Sequence, residues 1–142
     1  MHKSEANPEM ICPCCSSDKT KRLFSKCCQN YIERIALPET AEMLMRSRYS
    51  AYVIENSEYL LDSWHPDTSP DNIEFDPKTK WLGLKVILCT KGKKHDNEGW
   101  VKFVARYKVD GKAHRLEEHS YFTKSKGQWL YISAKDFDMT SK

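Results

Sequence analysis

The chain has 142 residues, of which 39% are hydrophobic and 30% charged, with a formal net charge of +3. That is one domain of ordinary size, and its four Trp, seven Tyr and five Phe supply a core that a disordered chain would lack. No apolar run approaches the roughly 20 residues that span a bilayer, and MHKSEANPEM has no apolar signal segment. A charge of +3 is too mild to demand nucleic acid. The expected address is the cytosol.

In chain order, residues 1–10 read as a flexible tail, 11–28 as a cysteine-rich segment and 29–39 as a connector closed by Pro38. A helix is predicted next. Thr40 is its N-cap and Glu42 lies in its first turn, where a negative charge suits the helix dipole. Ala41, Leu44, Met45, Tyr49, Tyr52 and Val53 recur at spacings of three and four, the mark of an amphipathic helix ending near Asn56. Ser57 is predicted to cap a short second helix through Tyr59, Leu60 and Leu61, and Pro66 and Pro70 then impose a loop.

The second half reads as strands. WLGLKVILC, residues 81–89, is almost continuously apolar, which predicts a strand covered on both faces, with Gly83 marking a bulge or bend. After a polar turn, Val101, Phe103, Ala105, Tyr107 and Val109 alternate on one face of the next strand. Asp110-Gly111 is a hairpin turn. Leu116, Glu118, Ser120 and Phe122 alternate in the third strand, and residues 128–132 form a fourth after the turn at Ser125 to Gly127. Helices followed by an antiparallel meander give an α+β class, with helices covering one face of the sheet.

Five of the six cysteines lie between Cys12 and Cys28. In a reducing compartment such a cluster points to metal or redox chemistry rather than disulfides. Cys12-Pro-Cys14-Cys15 and Cys27-Cys28 are two sets of thiols, able to close a tetrahedral shell around zinc; iron uses the same ligands. Cys12 and Cys15 also make a C-x-x-C pair, so the choice between Cys14 and Cys15 stays open. Four thiolates around one dication leave about two net negative charges, which Lys19, Lys21, Arg22 and Lys26 can offset. A filled shell has no open position for water, so the role is structural rather than hydrolytic.

Cys12-Pro-Cys14 followed by Cys27-Cys28 resembles the SEC-C motif, the metal-binding module also found at the end of the SecA translocation ATPase. The resemblance implies ligands at Cys12, Cys14, Cys27 and Cys28. The usual Gly-Ser after the second cysteine is here Cys15-Ser16-Ser17, and the loop to the last pair is four residues longer. The run TAEMLMRSRYSAY, residues 40–52, with Tyr59-Leu60, Trp64-His65-Pro66, Trp81-Leu82-Gly83-Leu84, Val101 to Tyr107, Glu118-His119-Ser120 and Trp129-Leu130-Tyr131, resembles the YchJ family across nearly the whole chain. It implies a nuclear transport factor 2-like (NTF2-like, or cystatin-like) cone over 40–136, with helices on a curved antiparallel sheet and a small N-terminal metal knuckle over 11–28. It implies no activity.

Arg48 shares the helix stripe of Leu44, Met45 and Tyr52, and Glu118 and Ser120 share the sheet face of Leu116 and Phe122. A buried Arg needs a partner, and by periodicity that partner is Glu118. Arg48, Tyr52, Trp64, His65, Glu118 and Ser120 are therefore the pocket candidates, and a core Arg48–Glu118 bridge is the leading expectation for the charged pair. No nucleophile or oxyanion geometry is legible, so no catalytic residue is assigned. The expected function is a non-enzymatic accessory protein with one zinc, a protein partner that by analogy belongs to translocation or chaperone systems, and room for a small ligand. An enzyme using His65, Arg48 and Glu118, and a thiol redox or metal-handling protein, are the alternatives.

Overall fold

The Thr40 side chain accepts a hydrogen bond from Met43 N at 3.1 Å and opens α2, Ala41–Val53. This helix organises the computed structural model, which describes residues 7–134. Its burial is wider than one amphipathic stripe: Ser47, Ser50 and Ala51 are as fully buried as Leu44. Two layers sandwich it, the sheet on one side and the cysteine segment on the other. Small residues on the second side let the backbones approach. Ser47 Oγ satisfies itself on Leu44 O at 2.8 Å and meets Tyr59 Oη at 2.6 Å.

Before it, α1 spans Cys28–Ile32, so the expected connector begins inside a helix. After it comes α3, Ser57–Asp62, whose cap is Asn56 rather than Ser57: Asn56 Oδ1 accepts from Tyr59 N at 3.0 Å. Of the predicted tail, residues 1–6 lie outside the described residues. Pro8 and Met10 are tied down, with their carbonyls accepting from Ser25 N and Phe24 N at 3.1 and 2.8 Å. Residues 135–136 of the predicted second domain also lie outside.

Four strands, β1 (Thr79–Lys91), β2 (Glu98–Val109), β3 (Lys112–Ser125) and β4 (Gln128–Ala134), form an antiparallel meander in the order β1-β2-β3-β4. Asp110-Gly111 and Lys126-Gly127 carry positive φ at both central positions (52° and 81°, 53° and 78°), the backbone of a type I′ hairpin turn.

The expectation that β1 is covered on both faces is corrected. Leu82, Ile87 and Leu88 are exposed. β1 is an edge strand, and its register slips between Trp81 and Gly83 and again between Val86 and Leu88. Each slip shifts the in-out phase by one residue. Trp81, Leu84, Val86 and Cys89 therefore pair with Tyr107, Ala105, Phe103 and Val101 on the face toward α2. An apolar run that looked two-sided is a one-sided pattern interrupted by bulges.

The core joins Leu44 and Leu60 to Leu84, Val101, Phe122 and Trp129, and Phe24 of the cysteine segment is buried with them. Trp129 Nε1 donates to Glu39 O at 3.0 Å, fixing β4 to the start of α2. The loop after α3 is stitched to β4 by His65 N→Tyr131 O and Tyr131 N→Ser63 O, 2.8 and 2.9 Å.

Candidate functional site

A one-turn 3-10 helix, Pro13–Cys15, carries the first thiols. A second, Phe24–Lys26, delivers Cys27 and then Cys28 at the start of α1. An antiparallel bridge between Ile11 and Leu23, with Cys12 N→Arg22 O at 2.7 Å, closes the loop between them. The Sγ atoms of Cys12, Cys14, Cys27 and Cys28 all lie within 4.8 Å of one another. Three of the separations are 3.8 Å (Cys12–Cys14), 3.6 Å (Cys14–Cys27) and 4.0 Å (Cys27–Cys28). Thiolates about 2.3 Å from zinc stand about 3.8 Å apart at the corners of a tetrahedron, so the donor set fits such an ion. Cys12, Cys14 and Cys28 are buried and Cys27 is half-buried.

Cys15, the alternative ligand, stands outside this group. Its Sγ accepts from Arg22 N at 3.2 Å and lies 3.6 Å from Cys12 O, so it braces the loop instead. Both halves of the C-x-x-C spacing are present, but the tight turn at Pro13 aims the second and third cysteines in different directions.

The four thiols share hydrogen bonds unequally. Donation from Cys12, Cys14 and Cys28, with help from Arg22, holds Cys27 far below the ordinary thiol range. Cys12 is lowered to about 6, chiefly by Cys14. Cys14 and Cys28 are pushed up, chiefly by their bonds with Cys12. A cluster that already favours thiolate at two positions is prepared for a cation. Of the four cations in the loop, Arg22 answers this charge most directly: its hydrogen bond with Cys27 raises its own pKa. Lys21 Nζ instead donates to Asp18 O at 2.8 Å.

Arg46 is the residue that sequence reasoning did not assign to this site. Its Nη1 donates to Cys14 O at 2.8 Å and to Asp18 Oδ2 at 3.2 Å, while its Nε meets Glu42 Oε2 at 2.9 Å. Burial works against its charge, and Glu42 and Cys14 more than compensate. The available signal was the i,i+4 pair Glu42–Arg46; nothing local announced the contact across 32 residues. Cys12 Sγ also lies 3.6 Å from Ser50 Oγ on the same helix.

A cavity of about 280 Å³ lies between α2 and the sheet, lined by Arg48, Tyr52, Glu118 and Ser120 with a set of aromatic side chains. The expected Arg48–Glu118 bridge is not made. Arg48, 5% exposed, donates from Nη1 to Leu60 O and Ser63 Oγ, both at 2.7 Å. Its guanidinium carbon sits 4.9 Å from the Trp64 ring centre and 4.6 Å from that of Tyr131. Desolvation lowers its pKa, opposed by the surrounding tyrosines and Glu118. Glu118 Oε2 accepts from Ser120 Oγ at 2.6 Å and Tyr131 Oη at 3.3 Å. Periodicity put the two charges at one cavity, but the end of α3 and β4 supplied nearer partners.

Trp64 stacks on Arg48 and does not line the cavity, and His65 is turned away, its Nδ1 accepting from Asp67 N at 3.0 Å. The histidine needed for acid–base work with Glu118 is therefore not at the cavity. Tyr49, Trp81, Phe103 and Tyr131 also line the cavity, and none of them was among the pocket candidates.

The fold and the site define a class: a small α+β domain of the NTF2-like type, joined to an N-terminal knuckle of four clustered cysteines. Residues 40–134 match the family model described as the middle NTF2-like domain of YchJ. A UPF0225 protein of Chromobacterium violaceum is 43% identical over 135 residues, which cover 92% of this chain and 96% of that one. A UPF0225 protein of Ralstonia nicotianae is 41% identical over 145 residues, covering 94% of each. Among solved structures, a SEC-C motif containing protein from Rhodopseudomonas palustris superposes with a TM-score of 0.75 at 25% identity, over 91% of this chain and all of that one. A second, from Psychrobacter arcticus, gives 0.72 at 26% identity, over 94% and 86%. The chain belongs to the YchJ family of UPF0225 proteins. Among the described residues no helix is long and apolar enough to cross a membrane.

Proposed function

We propose that this chain is a non-enzymatic, cytosolic accessory protein. Zinc, one per chain, locks an N-terminal knuckle onto an NTF2-like cone, and the cavity of that cone holds a ligand. The observation that carries the reading is the cluster of four thiol sulfurs within 4.8 Å of one another, three of them on buried residues. Four thiolates complete the coordination of zinc, so the ion supplies rigidity and not a water nucleophile. Arg46 and Ser50 transmit that rigidity to α2.

Partner binding is assigned to the knuckle. Lys19, Lys21 and Lys26 are exposed around it, and they suit an acidic protein surface. The partner is placed in translocation or chaperone systems through the motif's likeness to the module at the end of the SecA ATPase, an analogy of motif and not of site.

The test is metal content per chain of anaerobically purified protein, by elemental mass spectrometry. Near one zinc is expected in the wild type and in Cys15→Ser, and none in Cys12→Ser/Cys28→Ser. Iron in place of zinc would change the ion and keep the site. Absence of metal together with freely reactive thiols would overturn the structural reading in favour of thiol redox chemistry.

A further inference from the structure

The cavity between α2 and the sheet has a size, a wall chemistry and a charge balance that together specify a guest. A cavity of about 150 Å³ takes one benzene ring. At about 280 Å³ this one has room for two fused rings. Tyr49, Tyr52, Trp81, Phe103, Phe122 and Tyr131 contribute to its walls. Several already meet edge to face: Tyr49 on Trp81 at 5.8 Å and 77°, and Phe122 on Tyr131 at 5.7 Å and 61°. Walls of this kind reward another flat ring with the same geometry.

Glu118 sets the polar end. Its Oε2 is occupied by Ser120 and Tyr131, whereas Oε1 accepts no hydrogen bond from any of the described residues. Glu118 is half-buried, so a guest that displaces water from Oε1 must offer a donor in its place. Charge then narrows the choice. Arg48 and Glu118 are the charged side chains lining the space, and they offset each other. An anion would set a second negative charge beside Glu118 in this largely apolar space. A cation would leave the apolar space with an uncompensated positive charge beside Arg48.

We infer that the cavity binds a neutral, planar, bicyclic aromatic molecule that presents one O–H or N–H donor to Glu118 Oε1. The inference rests on the cavity being a ligand site, not on the metal, and zinc content measured on the same sample separates the two.

The experiment titrates the full-length, metal-loaded protein with 2-naphthol, naphthalene, 2-naphthoate and 2-naphthylmethylammonium, following backbone amide shifts by NMR. Saturable 2-naphthol binding is expected, with shifts centred on Phe103, Ala105, Glu118 and Tyr131. Naphthalene, which lacks the donor, should bind about tenfold more weakly. The carboxylate and ammonium analogues should bind more weakly than 2-naphthol. Ala105→Leu, which fills the cavity from β2, should abolish 2-naphthol binding while zinc is retained. The inference is overturned if 2-naphthol shows no saturation up to about 1 mM, if naphthalene binds equally well, if either charged analogue binds more tightly, or if Ala105→Leu leaves binding intact.

Discussion

Arg48 shows how far a single residue can be read from its neighbours in sequence. Helical spacing placed it inward, and it is indeed 5% exposed. Its partner was not legible, because a guanidinium is satisfied equally well by carbonyl and hydroxyl oxygens and by stacked rings. Which of these it meets depends on where the end of α3 and β4 arrive, and no local pattern encodes that. Arg48→Met leaves Leu60 O and Ser63 Oγ without this donor and removes two ring contacts. It should cost about 2–3 kcal/mol in urea unfolding, and Arg48→Lys should recover only part of that. A loss under about 0.5 kcal/mol would show that water replaces the guanidinium freely. Cys89 offers a second residue-level check. Its side chain is exposed, yet its sulfur lies 3.4 Å from Glu42 Oε1. Desolvation of the sulfur and the adjacent carboxylate push the thiol up to about 12. At pH 8 it should alkylate far more slowly than a free cysteine, and Glu42→Gln should speed it up. Equal rates in the two proteins would remove Glu42 as a cause.

The elements were more legible than their faces. Thr40 opens α2 as its sequence indicates, and both hairpin turns fall on Gly with positive φ. The lost information concerns burial. α2 carries serines where the cysteine segment covers it, and a polarity pattern records serine as exposed. β1 carries two bulges that scramble its alternation. The start of α2 is also held from the β1–β2 turn: Ala41 N donates to Gly92 O, and Gly92 N to Glu98 O, both at 2.9 Å. A Cβ on Gly99 would run into the backbone of Gly92, which cannot yield without disturbing this anchor. Gly99→Ala is therefore expected to destabilise by roughly 1–3 kcal/mol in thermal or urea unfolding. Wild-type stability in that variant would mean that the two glycines separate freely.

At the scale of the molecule, the knuckle and the α+β body form one structure through α2. The sequence made both parts visible, the first by cysteine spacing and the second by its helix-then-meander order. It did not show that Arg46 and Ser50 join them, since those contacts bridge 32 and 38 residues. Protonation should loosen this junction in a defined direction. Cys12 falls from the ordinary 9.0 to about 6 in the fold. Its contribution to stability is therefore complete above pH 9 and lost as pH drops through 6. The proposed zinc, which would also need thiolates, should stay bound at pH 7 and leave on the acid side of that range. Metal retention followed across pH by a chromophoric chelator checks this, and zinc release that instead rises toward alkaline pH would contradict it.

X-ray absorption at the zinc edge counts the ligands of the proposed ion and measures their distances. Four sulfur neighbours at about 2.3 Å are expected, with an unchanged spectrum in Cys15→Ser. Three sulfurs with a nitrogen or oxygen neighbour, or a spectrum that changes when Cys15 is replaced, would contradict the closed shell of Cys12, Cys14, Cys27 and Cys28.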